Sequence, residues 1–146
     1  MAGKFKLQSV LNYRQSLEDQ AQQDLTASLQ SHKILEAKYQ QQVNSFNEYD
    51  RELTLRQQEG LTVAEMDLYE SQIYHCRRMM VDLQQQLEQL NRRINEERNA
   101  LQQAARDRQI MEKLKNKQEE EYRQELSRQE RIMLDEISLR SKGENS

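Results

Sequence analysis

No proline interrupts the 146 residues of this chain, and its three glycines stand at positions 3, 60 and 143. Proline removes a backbone donor and clashes with the preceding turn, so its absence lets a helix run to any length. Glutamine, glutamate, leucine, arginine and alanine are frequent instead, and all are helix formers. With 35% hydrophobic, 32% charged and 5% aromatic residues, the chain is too polar to fill a globular core. Disorder, the usual alternative at such polarity, is rich in proline and glycine. The chain is therefore read as all-α and built from long helices.

Apolar positions give those helices a seam. From Val10 a stripe steps by three or four residues through Tyr13, Leu17, Ala21, Leu25, Leu29, His32, Leu35, Tyr39, Val43, Phe46, Tyr49 and Leu53, an average of about 3.6 per step. A second stripe follows Gly60 through Met66, Tyr69, Ile73, Cys76, Met80, Leu83, Leu87, Leu90 and Ile94, the alternation of a coiled-coil heptad. It continues less regularly through Leu101, Ala104, Ala105, Met111 and Leu114, then Tyr122, Leu126, Met133 and Ile137.

Between the stripes, four local signals mark one turn. Gly60 suits the left-handed position just past a helix end. Thr62 and Glu65 have the spacing of a capping box, and Leu61 and Met66 that of a hydrophobic staple. The expected architecture is a long antiparallel two-helix coiled-coil hairpin in a single domain, 1–146. Helix one spans about 5–58, the turn 59–62, helix two about 63–140, and residues 141–146 form a frayed tail.

Folding back at Gly60 brings the two stripes into one register. Leu53 then faces Tyr69, Tyr49 faces Ile73, Phe46 faces Cys76, Tyr39 faces Leu83, Leu35 faces Leu87 and His32 faces Leu90. Further out, Leu17 faces Ala104 and Ala105, Val10 faces Met111 and Leu7 faces Leu114, with a small slip in register expected of a local change in winding. Arms of about 55 residues correspond to roughly 80 Å at 1.5 Å per residue. Helix two outruns helix one, so a C-terminal helical overhang from about Gln118 to Arg140 keeps an apolar stripe that the hairpin does not cover. Such a stripe implies a partner.

Charge is unevenly placed. Residues 92–117 carry eight Lys/Arg against four Asp/Glu, and residues 118–136 carry three against seven. A formal net charge of −3 argues against a general nucleic-acid binder, and the basic stretch lacks the interleaved aromatics of a single-strand platform. No apolar run reaches the length of a membrane span, and the first residues lack a secretory core, so a soluble intracellular protein is expected. The single cysteine cannot form an internal disulfide.

Chemistry has little to work with. There is no glycine-rich phosphate loop. His32 and His75 are far apart, and His75 and Cys76 are adjacent, which points them to different helix faces. Cys76 reads as a small buried seam residue. No catalytic, cofactor or metal site is expected.

The opening FKLQSVLNYRQSLEDQAQQDL, the glycine-marked turn and the closing LKNKQEEEYRQELSRQERIMLDEISLR together resemble the flagellar FliJ family of bacterial type III export. The resemblance is carried most specifically by Phe5, Leu7, Leu11, Arg14 and Glu18 at the start and by Glu130, Asp135 and Glu136 at the end. It implies a non-enzymatic cytoplasmic stalk at the flagellar base, peripheral to the membrane and similar to the central stalk of rotary ATP synthases. Implied partners are the export ATPase ring, the cytoplasmic domain of an export-gate membrane protein, and export chaperones. On this reading Phe5, Tyr122, Leu126, Met133 and Ile137 are candidates for ATPase docking, and Gln72, Ile73 and Cys76 for the gate. The stalk of a virulence injectisome and a generic coiled-coil adaptor or homodimeric scaffold are the alternatives.

Overall fold

The computed structural model describes residues 5–144. They form two α-helices packed against each other, α1 (Gln8–Glu59) and α2 (Val63–Glu144), and no strand occurs among the described residues. The all-α hairpin architecture expected from the apolar stripes is the one observed. Helix α1 starts three residues later than expected. Lys6 and Leu7 form a turn in which the Gln8 amide donates to the Phe5 carbonyl at 3.2 Å, and the turn brings Phe5 against Leu11 and Met111. Helix α2 runs past residue 140 to Glu144, because nothing in that stretch breaks the ladder and Lys142 in its last turn complements the helix dipole. Residues 145 and 146 of the expected tail lie outside the described residues.

The turn forms as its sequence signals require. Gly60 has φ of 101°, a left-handed conformation that a side chain disfavours. A Cβ there would meet nothing within 4 Å, so glycine is required by the backbone and not by crowding. The Glu65 amide donates to Thr62 Oγ1 at 3.2 Å, which caps α2, and the Met66 amide donates to the Thr62 carbonyl at 3.0 Å. The other half of the capping box is diverted. Glu65 Oε2 accepts from Arg56 Nη2 at 2.8 Å, tying the end of α1 to the start of α2. Leu61 and Met66 are half-buried between exposed neighbours, as a staple requires.

The contacts divide into two units. Unit 2, Ala21–Ala100, holds the turn and an apolar seam with Leu25, Cys76, Leu83 and Ile94 buried. Cross-helix contacts follow the expected register: Gln84 Nε2 donates to Tyr39 Oη at 3.0 Å, and the Arg77 guanidinium lies 5.1 Å from the centre of the Phe46 ring. One position departs from the apolar stripe. Ser28 is only 5% exposed, while Leu29 lies outside the seam. Ser28 Oγ donates to Glu97 Oε1 at 2.9 Å, and Arg93 Nε donates to the same oxygen at 2.8 Å. A small hydroxyl gives that oxygen a donor where a leucine cannot, while Glu97 Oε2 is buried without a hydrogen-bond partner.

Unit 1 comprises residues 5–20 and 101–144 of the described chain. Here the expected stripe is corrected more deeply. Val10 packs against the cluster of Phe5, Leu11 and Met111. Tyr13, at 60% exposure, and Leu17 point outward, as do Leu7 and Leu114. The row that faces α2 is Leu11, Arg14 and Glu18, one residue along and turned by about 100°. Opposite it, α2 presents Asp107, Arg108 and Met111, so the row that supplies complementary charge is the one turned inward.

Candidate functional site

The polar seam of unit 1 holds two sets of ion pairs, one around Asp107 and one around Arg108. Arg14 Nη1 lies 3.4 Å from Asp107 Oδ2, whose other oxygen accepts from Gln103 Nε2 at 3.0 Å. Arg108 donates through Nε to Glu18 Oε2 at 2.6 Å and through Nη1 to Glu112 Oε2 at 2.7 Å. The hydrogen bond to Glu18, then that to Glu112, holds the Arg108 guanidinium above its usual basicity. These groups are partly exposed, so salt screens them and each pair contributes little alone. Their geometric effect is larger, because they decide which row of α1 meets α2.

Beyond this seam the expected docking residues divide. Phe5 is buried with Leu11 and Met111, so it serves the cluster before it can serve a partner. Tyr122 is half-buried. Leu126, Met133 and Ile137 are exposed, Met133 at 62%. Their spacing of seven and then four residues keeps them on one side of the helix. Ile132, Leu134 and Leu139 are exposed around them, a feature the stripe alone did not register. On this segment Arg128 pairs with Glu125 at 2.7 Å. The Arg128 hydrogen bond holds the Glu125 carboxyl below its ordinary range, and Glu125 in turn raises Arg128.

In unit 2 the three gate candidates occupy different depths. Gln72 is exposed, Ile73 is half-buried, and Cys76 is 3% exposed. The thiol is a packed seam residue, as its position in the heptad suggests. The exposed relief beside them is made by Tyr74, Arg77, Arg78 and Val81 around a shallow depression. At the turn, Arg56 is held above its usual basicity by its hydrogen bond to Glu65.

His32 is half-buried with Nδ1 3.6 Å from Glu36 Oε1, and His75 is exposed. Among the described residues no group of three or more His, Cys, Asp or Glu side chains is placed to hold a metal. No helix of the described residues is long and apolar enough to cross a membrane.

A family model described as "Flagellar FliJ protein" matches residues 3–145. No curated protein and no solved structure matches the chain.

Proposed function

Because the chain belongs to the flagellar FliJ family, a family of non-catalytic components of flagellar export, we propose that it is a cytoplasmic stalk joining the export ATPase to the export gate. The observation that carries this reading is the segment of α2 beyond the seam, whose Leu126, Met133 and Ile137 are exposed on one face with nothing from α1 against them. An exposed apolar row on an otherwise polar helix marks an interaction surface. Leu126, Met133 and Ile137 dock in the ATPase ring, with Tyr122 at the inner edge of that surface. Phe5 acts indirectly by packing the start of α1 against α2. The gate contact falls on Gln72 and the exposed edge of Ile73, while Cys76 supports them from the seam. Export chaperones are a third class of partner for the same stalk.

The test is a pull-down with the flagellar export ATPase of the same cell, followed by ATPase assays at several mixing ratios. The Leu126→Asp, Met133→Asp double variant should lose binding while its far-ultraviolet circular dichroism stays helical. Unchanged binding would move the ATPase site elsewhere on the chain. Absence of binding by the unaltered protein would remove the stalk reading itself.

A further inference from the structure

The two edges along which α1 and α2 meet in unit 1 differ in chemistry. Arg14 pairs with Asp107 along one of them. Steps of three or four residues from Arg14 reach Leu7, Val10 and Leu17 on α1. The same steps from Asp107 reach Ile110, Leu114 and Lys117 on α2, so the two rows flank one groove. Leu7, Leu17, Ile110 and Leu114 are exposed there, Ile110 at 56%, and Val10 is half-buried between the helices. On the opposite edge a shallow depression beside Leu11 is lined by Gln15, Glu112, Lys115, Asn116 and Glu119. Gln15 shares its row on α1 with Gln8, Asn12 and Asp19, all polar. One edge is finished for water and the other is not.

The seam sharpens this contrast. Helix α1 turns Arg14 and Glu18 toward α2 and leaves the more apolar Tyr13 and Leu17 outside, although apolar side chains gain most from burial. A further neighbour laid in the groove recovers that burial. Charge narrows the choice of neighbour. Residues 5–17 and 106–117 together carry seven Lys/Arg against two Asp/Glu, and both acids, Asp107 and Glu112, are held by arginines. Arg106, Lys113 and Lys117 border the groove on α2, are exposed, and have no ion-pair partner among the described residues.

We propose that this edge is a docking groove for an acidic amphipathic helix of another protein. The incoming helix sets its apolar side on Leu7, Leu17, Ile110 and Leu114 and its carboxylates against Arg106, Lys113 and Lys117, making a local three-helix contact. The groove follows residues 7–17, about three turns or roughly 15 Å of helix, so its occupant is short and the association is of the weak, reversible class. An anionic membrane fits less well. The row on α2 runs on from Lys117 to Glu121 and Asp135, both exposed, and a flat anionic surface along α2 would meet these acids, whereas a short helix ends before them. The row of Leu126, Met133 and Ile137 lies more than a quarter turn away around α2, so the groove is separate from it and the inference does not depend on the ATPase reading.

Selection of a displayed library of helical peptides against the full chain tests the groove. The peptides are about three heptads long, with varied apolar residues at a and d and either Glu or Lys at e and g. Binders should carry Glu at e and g, and should bind less tightly as salt is raised. Ile110→Asp with Leu114→Asp should weaken the selected peptides at least about tenfold, and Lys113→Glu with Lys117→Glu should do the same through charge reversal. Leu126→Asp with Met133→Asp should leave their binding unchanged. All three double variants change exposed positions, and circular dichroism should find each as helical as the unaltered chain. Selection of no peptide overturns the proposal, as does equal selection of Glu and Lys peptides or binding that neither pair of groove changes weakens. Capture of the chain by phosphatidylglycerol vesicles in place of the peptides overturns it in favour of a lipid surface.

Discussion

The two units bury different chemistry along the same pair of helices. Unit 2 turns Leu25, Cys76, Leu83 and Ile94 inward, and apolar burial of this kind is insensitive to salt and contributes about 1.5–3 kcal/mol per large side chain. Unit 1 has the Phe5, Leu11 and Met111 cluster and beside it a seam of Arg14, Glu18, Asp107, Arg108 and Glu112. Ion pairs that remain partly wet add specificity of register more than stability. The difference teaches that one part of the hairpin is built to hold its pairing, while the other holds it lightly beside the exposed rows proposed to receive partners.

The sharpest break of this contrast comes from paired truncations. Leu83→Ala removes a buried seam side chain of unit 2 and should cost about 2–5 kcal/mol. Leu114→Ala in unit 1, an apolar residue that its stripe places in the seam but that is 44% exposed, should change stability by less than about 0.5 kcal/mol. Thermal unfolding of both variants decides it, and equal losses would mean that Leu114 is packed after all.

Salt offers a milder break. Raising ionic strength to about 1 M shortens the screening length to about 3 Å, so amide exchange at residues 10–18 should quicken while exchange around Leu83 and Ile94 stays unchanged. Glu18→Gln should reproduce much of that local quickening at low salt and show little further response to added salt. Uniform exchange rates across both units under all these conditions would erase the distinction.

The smallest expected effect concerns the exposed pair Glu125 and Arg128. Because Arg128 lowers the Glu125 carboxyl in the folded helix, the unfolded chain takes up this proton first as pH falls. The pair's contribution is therefore complete above the ordinary carboxylate range and disappears as pH drops through the depressed folded value. A carboxyl-detected titration should find Glu125 below its usual midpoint, and Arg128→Ala should return it there. No movement in the variant would mean that the hydrogen bond does not persist in solution.

Much of the fold was legible in residue order, though unevenly. Gly60, Thr62, Glu65 and the spacing of Leu61 and Met66 announced the turn, because capping is local and short-range. The stripe from Met66 to Ile94 announced the seam of unit 2 because its members are apolar and regularly spaced. In unit 1 the same method followed Val10, Tyr13 and Leu17, the more apolar row, and missed Arg14 and Glu18. Apolar periodicity is blind to a seam made of complementary charges. Arg14 and Glu18 were nonetheless among the residues that carried the family resemblance, so the signal was present in residue identity and absent from hydropathy. Among the site candidates, Leu126, Met133 and Ile137 emerged exposed as expected, whereas the burial of Phe5 and the depth of Cys76 depend on what packs beside them.

What residue order determined by itself was therefore the class of structure: two long helices, one turn and the register of the apolar half. Helix propensity, the absence of proline and the cap act over a few residues and need no distant partner. Which of two neighbouring rows of α1 faces α2 in unit 1 was decided only in the tertiary structure. The rows differ by about 100° of rotation, both are helical, and local energy does not separate them. The choice falls to Asp107, Arg108 and Met111 across the interface, because charge and shape complementarity exist only once both helices are in place.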